Sequence, residues 1–547
     1  MSRLPIFAAV LAAVLYLAPL FIDAPLTDPD EGLHASIAQE MYERGEGLVP
    51  RFIGRAFLDK PILFFWTQAA SMAAFGMTTA AARLPGMLFA LLCVATTGWL
   101  ARVLFDARTG WIAAACYATM TLPFMLAQAP VHDMALVPLV NIALAALWRS
   151  GSGAQGSGLR AQGWGLRAGG SGFEWRELGV AGSALGLSIL TKGLEGVAIV
   201  GVGYVAYLAL MGGVTMRLAW RGVVVLGIAA AVAAPWYVAM AAREPSYLGY
   251  YFVARHFLAF TTDSQRHGGE PWWFYLPLVT FGGLPWILYV RPLTLRRRAD
   301  RGAGSPELLV VTLLAGALAL LSLSGSKAST YILPAMPAIA ILAGRSWALG
   351  LAGEAVAVVD TRLRVGALAH AAVLFAVTAL TPWAVGRYGD QPVSTGGALA
   401  FGVLSVVWLR TILGLRRCQA ADAWPRLVML TGATYALAFA LFGSPLAQAH
   451  SSRDLATHLN ATGRLPQTIY VMDGRVSFVY YLRPDLRRRM HTDQVQSVSA
   501  AQLAALASWP QDAVLTLPAD LAQRIAGIPL LRDAPRRTAG RYLVVSP

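Results

Sequence analysis

Apolar blocks about as long as a bilayer is thick recur through most of this sequence, and they decide what it can fold into. A helix needs roughly 20 predominantly apolar residues to cross the hydrocarbon core. Blocks of that kind begin at Leu4 and recur as far as residue 446. The chain is 56% hydrophobic and only 13% charged, with a mean hydropathy of +0.55. A soluble domain carries about 25% charge. Disorder is excluded, a soluble protein is argued against, and a polytopic α-helical membrane protein is predicted.

Spans are predicted near 4–22, 80–101, 110–128, 134–149, 177–193, 194–212, 222–241, 273–291, 307–324, 331–347, 365–384, 394–412 and 427–446. That makes about 13 by the length criterion. The segment 61–77 is apolar but short and aromatic, and reads as an interfacial or partly inserted helix. The net charge of +15 would suggest nucleic acid in a soluble protein. Here the arginines cluster in alternate loops, among them Arg102 and Arg108, Arg217 and Arg221, Arg296–Arg298, and Arg416 and Arg417. That is the positive-inside bias, and it places those loops inside and the tail outside. The inner stretch 150–176 contains a glycine-rich imperfect tandem, AQGSGLR then AQGWGLR, and reads as a flexible linker. The three cysteines are scattered, with neither disulfide nor zinc spacing.

From residue 447 the composition changes to that of a small soluble α/β domain, 447–547. SSRDLATHLN and SAAQLAALAS read as helices; QTIYVMDG, SFVYYL, DAVLTLP and RYLVVSP read as strands.

The scarce polar residues then take on positional meaning. Only three of the 44 basic residues are lysine, Lys60, Lys192 and Lys327. All three fall at predicted outer boundaries. With them stand Asp30–Glu31, Asp59, His132–Asp133, Tyr331, and the loop 242–272 with Arg255, His256 and His267. Charges at a membrane boundary are expensive and commonly functional. Each also has a simpler reading. Asp30 or Asp133 could cap a helix, Asp59–Lys60 could close a loop, Lys192 could snorkel, and the two histidines could pack.

In order, DPDEGLHASIAQEM, FLDKPILFFW, APVHDMAL, ILTKG, APWY, HGGEPWWFYL and KASTYILPAMPAIAIL resemble the bacterial GT-C glycosyltransferases over roughly residues 1–345. The pattern is nearest the aminoarabinose (lipid A) transferases and their protein O-mannosyltransferase relatives. The resemblance implies a transmembrane glycosyltransferase domain (1–446) with periplasmic loops 23–79 and 242–272, a cytoplasmic linker 150–176 and a periplasmic α/β domain (447–547). It implies transfer of a sugar from an undecaprenyl-phosphate-type carrier to lipid A, lipopolysaccharide or a protein at the inner membrane, with no nucleic acid partner. Asp30, Glu31 and Asp133 match the catalytic carboxylates; Lys60, Lys192, Lys327, Arg255 and Tyr331 match positions near the donor phosphate or cleft wall. Asp59, His34, His256 and His267 fall in the cleft. No cofactor is required, no metal ligand set is assigned, and a divalent metal is compatible with the chemistry.

Three departures bear on which sugar and acceptor are used: His34 where the family has tyrosine, Ala259–Phe260 where it has arginine before phenylalanine, and Asp59 where it has glutamate. Outside this reading stand a lipid-carrier flippase, against which the one-sided charges argue, and a non-enzymatic scaffold.

Overall fold

The computed structural model describes residues 4–128, 131–152, 171–212, 215–262, 269–291, 305–352, 357–388, 393–415, 420–472, 474–506, 508–518, 521–532 and 534–545. Each predicted span coincides with helical structure. Among the described residues eight helices are long and apolar enough to cross a membrane, or nine with a bent pair counted as one. Two shorter apolar helices, Pro5–Phe21 and Glu195–Met211, stand beside them. Most of the expected linker, 153–170, lies outside the described residues, and a helix, Ser171–Lys192, already occupies its last part.

Two predicted spans are broken, and each break satisfies the other. Near 110–128, the helices Ala107–Ala118 and Thr121–Ala127 meet at 61°. Near 273–291, the helix Tyr275–Gly282 is followed by a 3-10 turn, Trp286–Tyr289. A break frees backbone groups that hydrocarbon cannot hydrogen-bond, so it survives only where protein covers it. Here the Thr121 N–H and hydroxyl each donate to the Leu284 carbonyl at 3.0 Å. The Trp286 indole N–H donates to the Thr119 hydroxyl at 2.9 Å.

Helix Ser171–Lys192 packs against Met216–Arg243 through Gly182 and Gly186. A Cβ at either would lie 2.6 Å from a β-carbon, of Ile228 or Val232. Small residues four apart let two membrane helices approach at backbone distance.

Between the first two apolar segments, helix Asp30–Arg44 carries Asp30 and Glu31 in its first turn and Arg44 in its last, each favourable to its dipole, and ends at Gly45 with φ +63°. The short apolar segment is indeed a helix, Leu63–Phe75. A π-helical turn, Gly249–Leu258, occupies the loop 242–272.

The tail is a five-stranded sheet in the order 495–498, 468–472, 513–518, 542–545, 536–539. The first three strands run parallel and the last two antiparallel. SFVYYL is not a strand: Phe478–Tyr481 is one helical turn. Its aromatic side chains mimic a strand pattern, but they pack down onto the first outer loop, where Tyr480 donates to the Thr78 carbonyl at 2.9 Å.

Candidate active site

Helix His132–Ser152 opens with Asp133 in its first turn, and Ser171–Lys192 ends with Lys192 in its last. The two helices pack along their length, so the carboxylate and the ammonium meet at the outer end. The Lys192 ammonium contacts Asp133 and lies 2.9 Å from Glu195, which begins the next helix. Asp133 and Lys192 are 4% and 6% exposed. The Thr330 hydroxyl also bonds Asp133, and the Tyr331 ring centroid lies 3.8 Å from the Lys192 nitrogen. The cluster holds two carboxylates against one ammonium. Removing both partners' water is tolerable only because each charge is met.

The excess negative charge faces Lys60, whose field reaches Asp133, Glu195 and His256. Among the described residues Lys60 has neither a hydrogen bond nor an ion pair, and it is partly exposed. Its sequence neighbour Asp59 turns elsewhere. Asp59 accepts from the Tyr250 hydroxyl and pairs with Arg255 at 3.2 Å. The simpler reading of Asp59 and Lys60 as an ion pair closing the loop is not met among the described residues, and Arg255 pairs with Asp59 instead.

Lys327 is also buried, yet two of its N–H groups donate to backbone carbonyls, Glu270 at 3.2 Å and Ser324. No carboxylate pairs with it among the described residues. One N–H and the full positive charge remain. The preceding backbone is tied to the loop: Gly325 and Ser326 N–H donate to Phe260 and Ala259 carbonyls at 2.8 and 2.9 Å.

Asp30 is exposed at the start of its helix, one turn from His34 and on the same face. The buried His34 ring packs on His132, centroids 4.6 Å apart, beside Phe57 and Phe65. Both ring nitrogens of buried His132 lack a hydrogen-bond partner among the described residues. Glu31 points into the protein. One oxygen pairs with Arg83 at 2.6 Å; the other accepts from the Thr27 N–H and hydroxyl at 2.7 and 2.8 Å. Arg83 spends its remaining donors on the Ala24 and Pro25 carbonyls. Glu31 is thereby a strut of the first loop rather than a group facing the cleft.

His256 is a second strut. Leu194 N–H donates to its Nε2 at 3.2 Å, so Nδ1 carries the hydrogen and donates to the Tyr251 carbonyl at 2.8 Å. Burial pushes its pKa below the ordinary range, with Lys60, Arg255 and Lys192 adding to the effect against that bond to Tyr251. The neutral ring holds the π-helical turn on Gly193, whose φ is +70°. His267 lies outside the described residues. The described residues contain no group of three or more His, Cys, Asp or Glu placed to hold a metal.

Asp133, Lys192 and Tyr331 are brought together, the charge of Lys60 reaches Asp133, and His34, one turn from Asp30, packs on His132 beside Asp133; Lys327 lies one turn before Tyr331. Lys192 is locked between carboxylates rather than open to a phosphate. Sequence reasoning missed Glu195, Thr330, Arg83 and Tyr250. Only Glu195 had a visible signal, three residues after Lys192 across a glycine turn. Phe257, Phe260, Trp272, Trp273 and Leu276 are exposed, as acyl-facing residues are.

Residues 59–159 match the family model described as dolichyl-phosphate-mannose-protein mannosyltransferase. The chain is 29% identical over 487 residues to the undecaprenyl phosphate-alpha-4-amino-4-deoxy-L-arabinose arabinosyl transferase of Pectobacterium carotovorum subsp. carotovorum, covering 88% of this chain and 83% of that one. It is 30% identical over 387 residues to the corresponding transferase 2 of Sodalis glossinidius, covering 69% and 65%. The crystal structure of ArnT from Cupriavidus metallidurans bound to undecaprenyl phosphate shares the fold, with a TM-score of 0.74 at 20% identity over 99% of this chain and 97% of that one.

Proposed function

We propose that this chain, an aminoarabinose-transferase-like GT-C glycosyltransferase, moves a sugar from an undecaprenyl-phosphate-type carrier onto lipid A at the periplasmic face of the bacterial inner membrane. The acceptor oxygen attacks the anomeric carbon. The bond from that carbon to the carrier's phosphate oxygen breaks, and polyprenyl phosphate leaves with the bonding pair. The protein's main task is to meet the charge that develops on the departing phosphate. Lys60 suits it because, among the described residues, no carboxylate holds its ammonium, and Lys327 there has one N–H without an acceptor. Arg255 supplies guanidinium N–H groups not directed at Asp59.

Asp30 orients an acceptor hydroxyl or takes its proton. A phosphate acceptor is already ionised, and Asp30 then only positions it. Asp133, Lys192 and Glu195 form the floor that fixes Lys60's surroundings, with Tyr331 as the wall. The carrier's apolar chain lies against Phe257, Phe260 and Trp273. The step as written needs no metal, so a chelator should leave the rate unchanged. A loss restored by a divalent ion would add a metal to the phosphate's partners.

The observation that supports this reading most is Lys60, which no carboxylate holds among the described residues, within reach of the buried Asp133–Lys192 pair. Its test is mass spectrometry of lipid A from a deletion strain complemented by wild type or by Asp30→Asn. Loss of one aminoarabinose mass, restored by wild type alone, is expected. An unchanged lipid A profile with loss of a sugar from protein would move the acceptor to protein.

A further inference from the structure

We propose that the C-terminal domain is part of the catalytic scaffold, and that through Asp28 it sets the position of the helix carrying Asp30 and His34. The proposal rests on Asp30 being the carboxylate that meets the acceptor.

Asp28 lies two residues before Asp30, yet its carboxylate belongs to the tail. Oδ1 accepts the Ser477 N–H at 2.6 Å. Oδ2 accepts the Ser477 hydroxyl at 2.8 Å, the Ser452 hydroxyl at 2.8 Å and the Ser452 N–H at 3.0 Å. The Asp28 N–H donates back to the His450 carbonyl at 2.7 Å. Burial pushes the Asp28 carboxyl above its ordinary range, and the bonds from Ser477 and Ser452 oppose that push.

Ser452 and Ser477 are fully buried, at 0% exposure. Their hydroxyls are spent neither on the domain's sheet nor on solvent. The Ser452 oxygen also accepts the Phe478 N–H at 2.9 Å, which fixes the helical turn that faces the first loop.

Steric fit points the same way. A Cβ on Gly32 would lie 2.2 Å from the Ser477 Cβ and 2.5 Å from its Cα. Glycine is needed there so that the helix and the tail can touch. Further along, Arg487 pairs with Glu43, and the Leu26 N–H donates to the Tyr481 hydroxyl at 2.6 Å. The helix Asp30–Arg44 is thus gripped before its start, at its first turn and near its end by one domain. Small displacements of a reacting group lower rates steeply, so a domain remote from the carrier can act on the chemistry.

The test uses full-length protein in nanodiscs, with Asp28→Ala, Gly32→Ala, the single variants Ser452→Ala and Ser477→Ala, and the conservative Asp28→Asn. Hydrogen exchange and transfer kinetics are read together. For Asp28→Ala and Gly32→Ala, exchange of residues 30–44 should quicken about tenfold or more while strands 468–472 and 513–518 keep their protection. The kcat should fall about tenfold or more while the KM for the lipid-linked donor stays within about twofold. Asp28→Asn keeps an acceptor for the Ser477 N–H and should retain more activity than alanine. Ser477→Ala added to Asp28→Ala should cost less than it does alone, since Asp28→Ala already removes the bond from the Ser477 hydroxyl to Asp28 and leaves only that hydroxyl's bonds to Ser452 to lose. Unchanged exchange of 30–44 and wild-type kcat in Asp28→Ala and Gly32→Ala would overturn the proposal. If the two large changes unfold the protein, the single serine variants decide it by the same two readings. Should wild-type protein transfer no sugar, the functional reading fails, and the exchange arm still decides the clamp.

Discussion

Lys192 and Lys60 bring the same charge into different company. Lys192 is buried and touches buried Asp133, half-buried Glu195 and the face of half-buried Tyr331. Changing it to methionine leaves Asp133 and Glu195 facing each other without their cation, and should lower stability by about 3–5 kcal/mol, read by thermal unfolding in detergent. Lys192→Arg should not restore wild-type behaviour, because a planar fork does not replace a compact ammonium held from three sides. Lys60→Met removes a cation with no partner among the described residues, so stability should hold while transfer falls about 100-fold or more. A Lys60→Met enzyme with wild-type transfer would remove the phosphate role. The sequence singled out both lysines by rarity and by their place at the outer boundary. It could not tell which was committed, because the partners lie 59 residues away for Asp133 and across a turn for Glu195. Glu31 was misleading for the same reason: its adjacency to Asp30 says nothing of the helix side it occupies, and Arg83 lies 52 residues on.

Elements were legible where periodicity and length determine them, and illegible where a neighbour does. The long apolar helices follow from composition alone. The breaks at Thr119–Thr121 and Leu284–Trp286 do not, since each exists only because the other supplies hydrogen bonds. The turn at Gly193 is of the second kind. At φ +70° an alanine is strained by about 1–2 kcal/mol. Its Cβ would also sit 2.3 Å from His256 Nε2. Gly193→Ala should therefore release the π-helical turn and raise its proteolysis. The same contact carries a pH dependence. His256 is held neutral, with a folded pKa below the unfolded value of about 6.5. Its contribution to stability is fully present above that value and is lost as pH falls below it, because the unfolded chain then binds the extra proton. The protection of residues 249–258, taken relative to the intrinsic exchange rate at each pH, should fall on acidification from pH 7 to 5, and His256→Phe should remove that response. A wild-type loop indifferent to pH would contradict the neutral strut.

At the scale of the whole molecule, the two ends of the bundle use charge differently. At the end of the bundle away from Lys192, arginines meet acids between segments, Arg149 with Glu177 at 3.0 Å, Arg221 with Glu174, and Arg345 with Asp106 at 3.0 Å. Those pairs close helix ends. At the other end charges gather about Asp133 and Lys192 or tie the tail to the first loop. The tail is itself rich in arginine, with Arg487–Arg489 in a row, and such a domain does not upset the orientation, because long translocated domains escape the positive-inside rule that short loops obey. The orientation is therefore argued from the short loops and makes a definite prediction. Cys93 and Cys116 are buried, so a chain with Cys418 changed to serine offers little background to a thiol reagent. A cysteine at the exposed Arg488 should react with an impermeant maleimide on intact spheroplasts, whereas one at Arg217, 73% exposed, should react only after permeabilisation. The opposite pattern would turn Lys60, Asp133 and Asp30 toward the cytoplasm, where soluble nucleotide sugars are at hand and a lipid-linked donor has no advantage. The labelling thus tests, besides topology, why a carrier whose apolar chain stays in the membrane should be this enzyme's sugar donor.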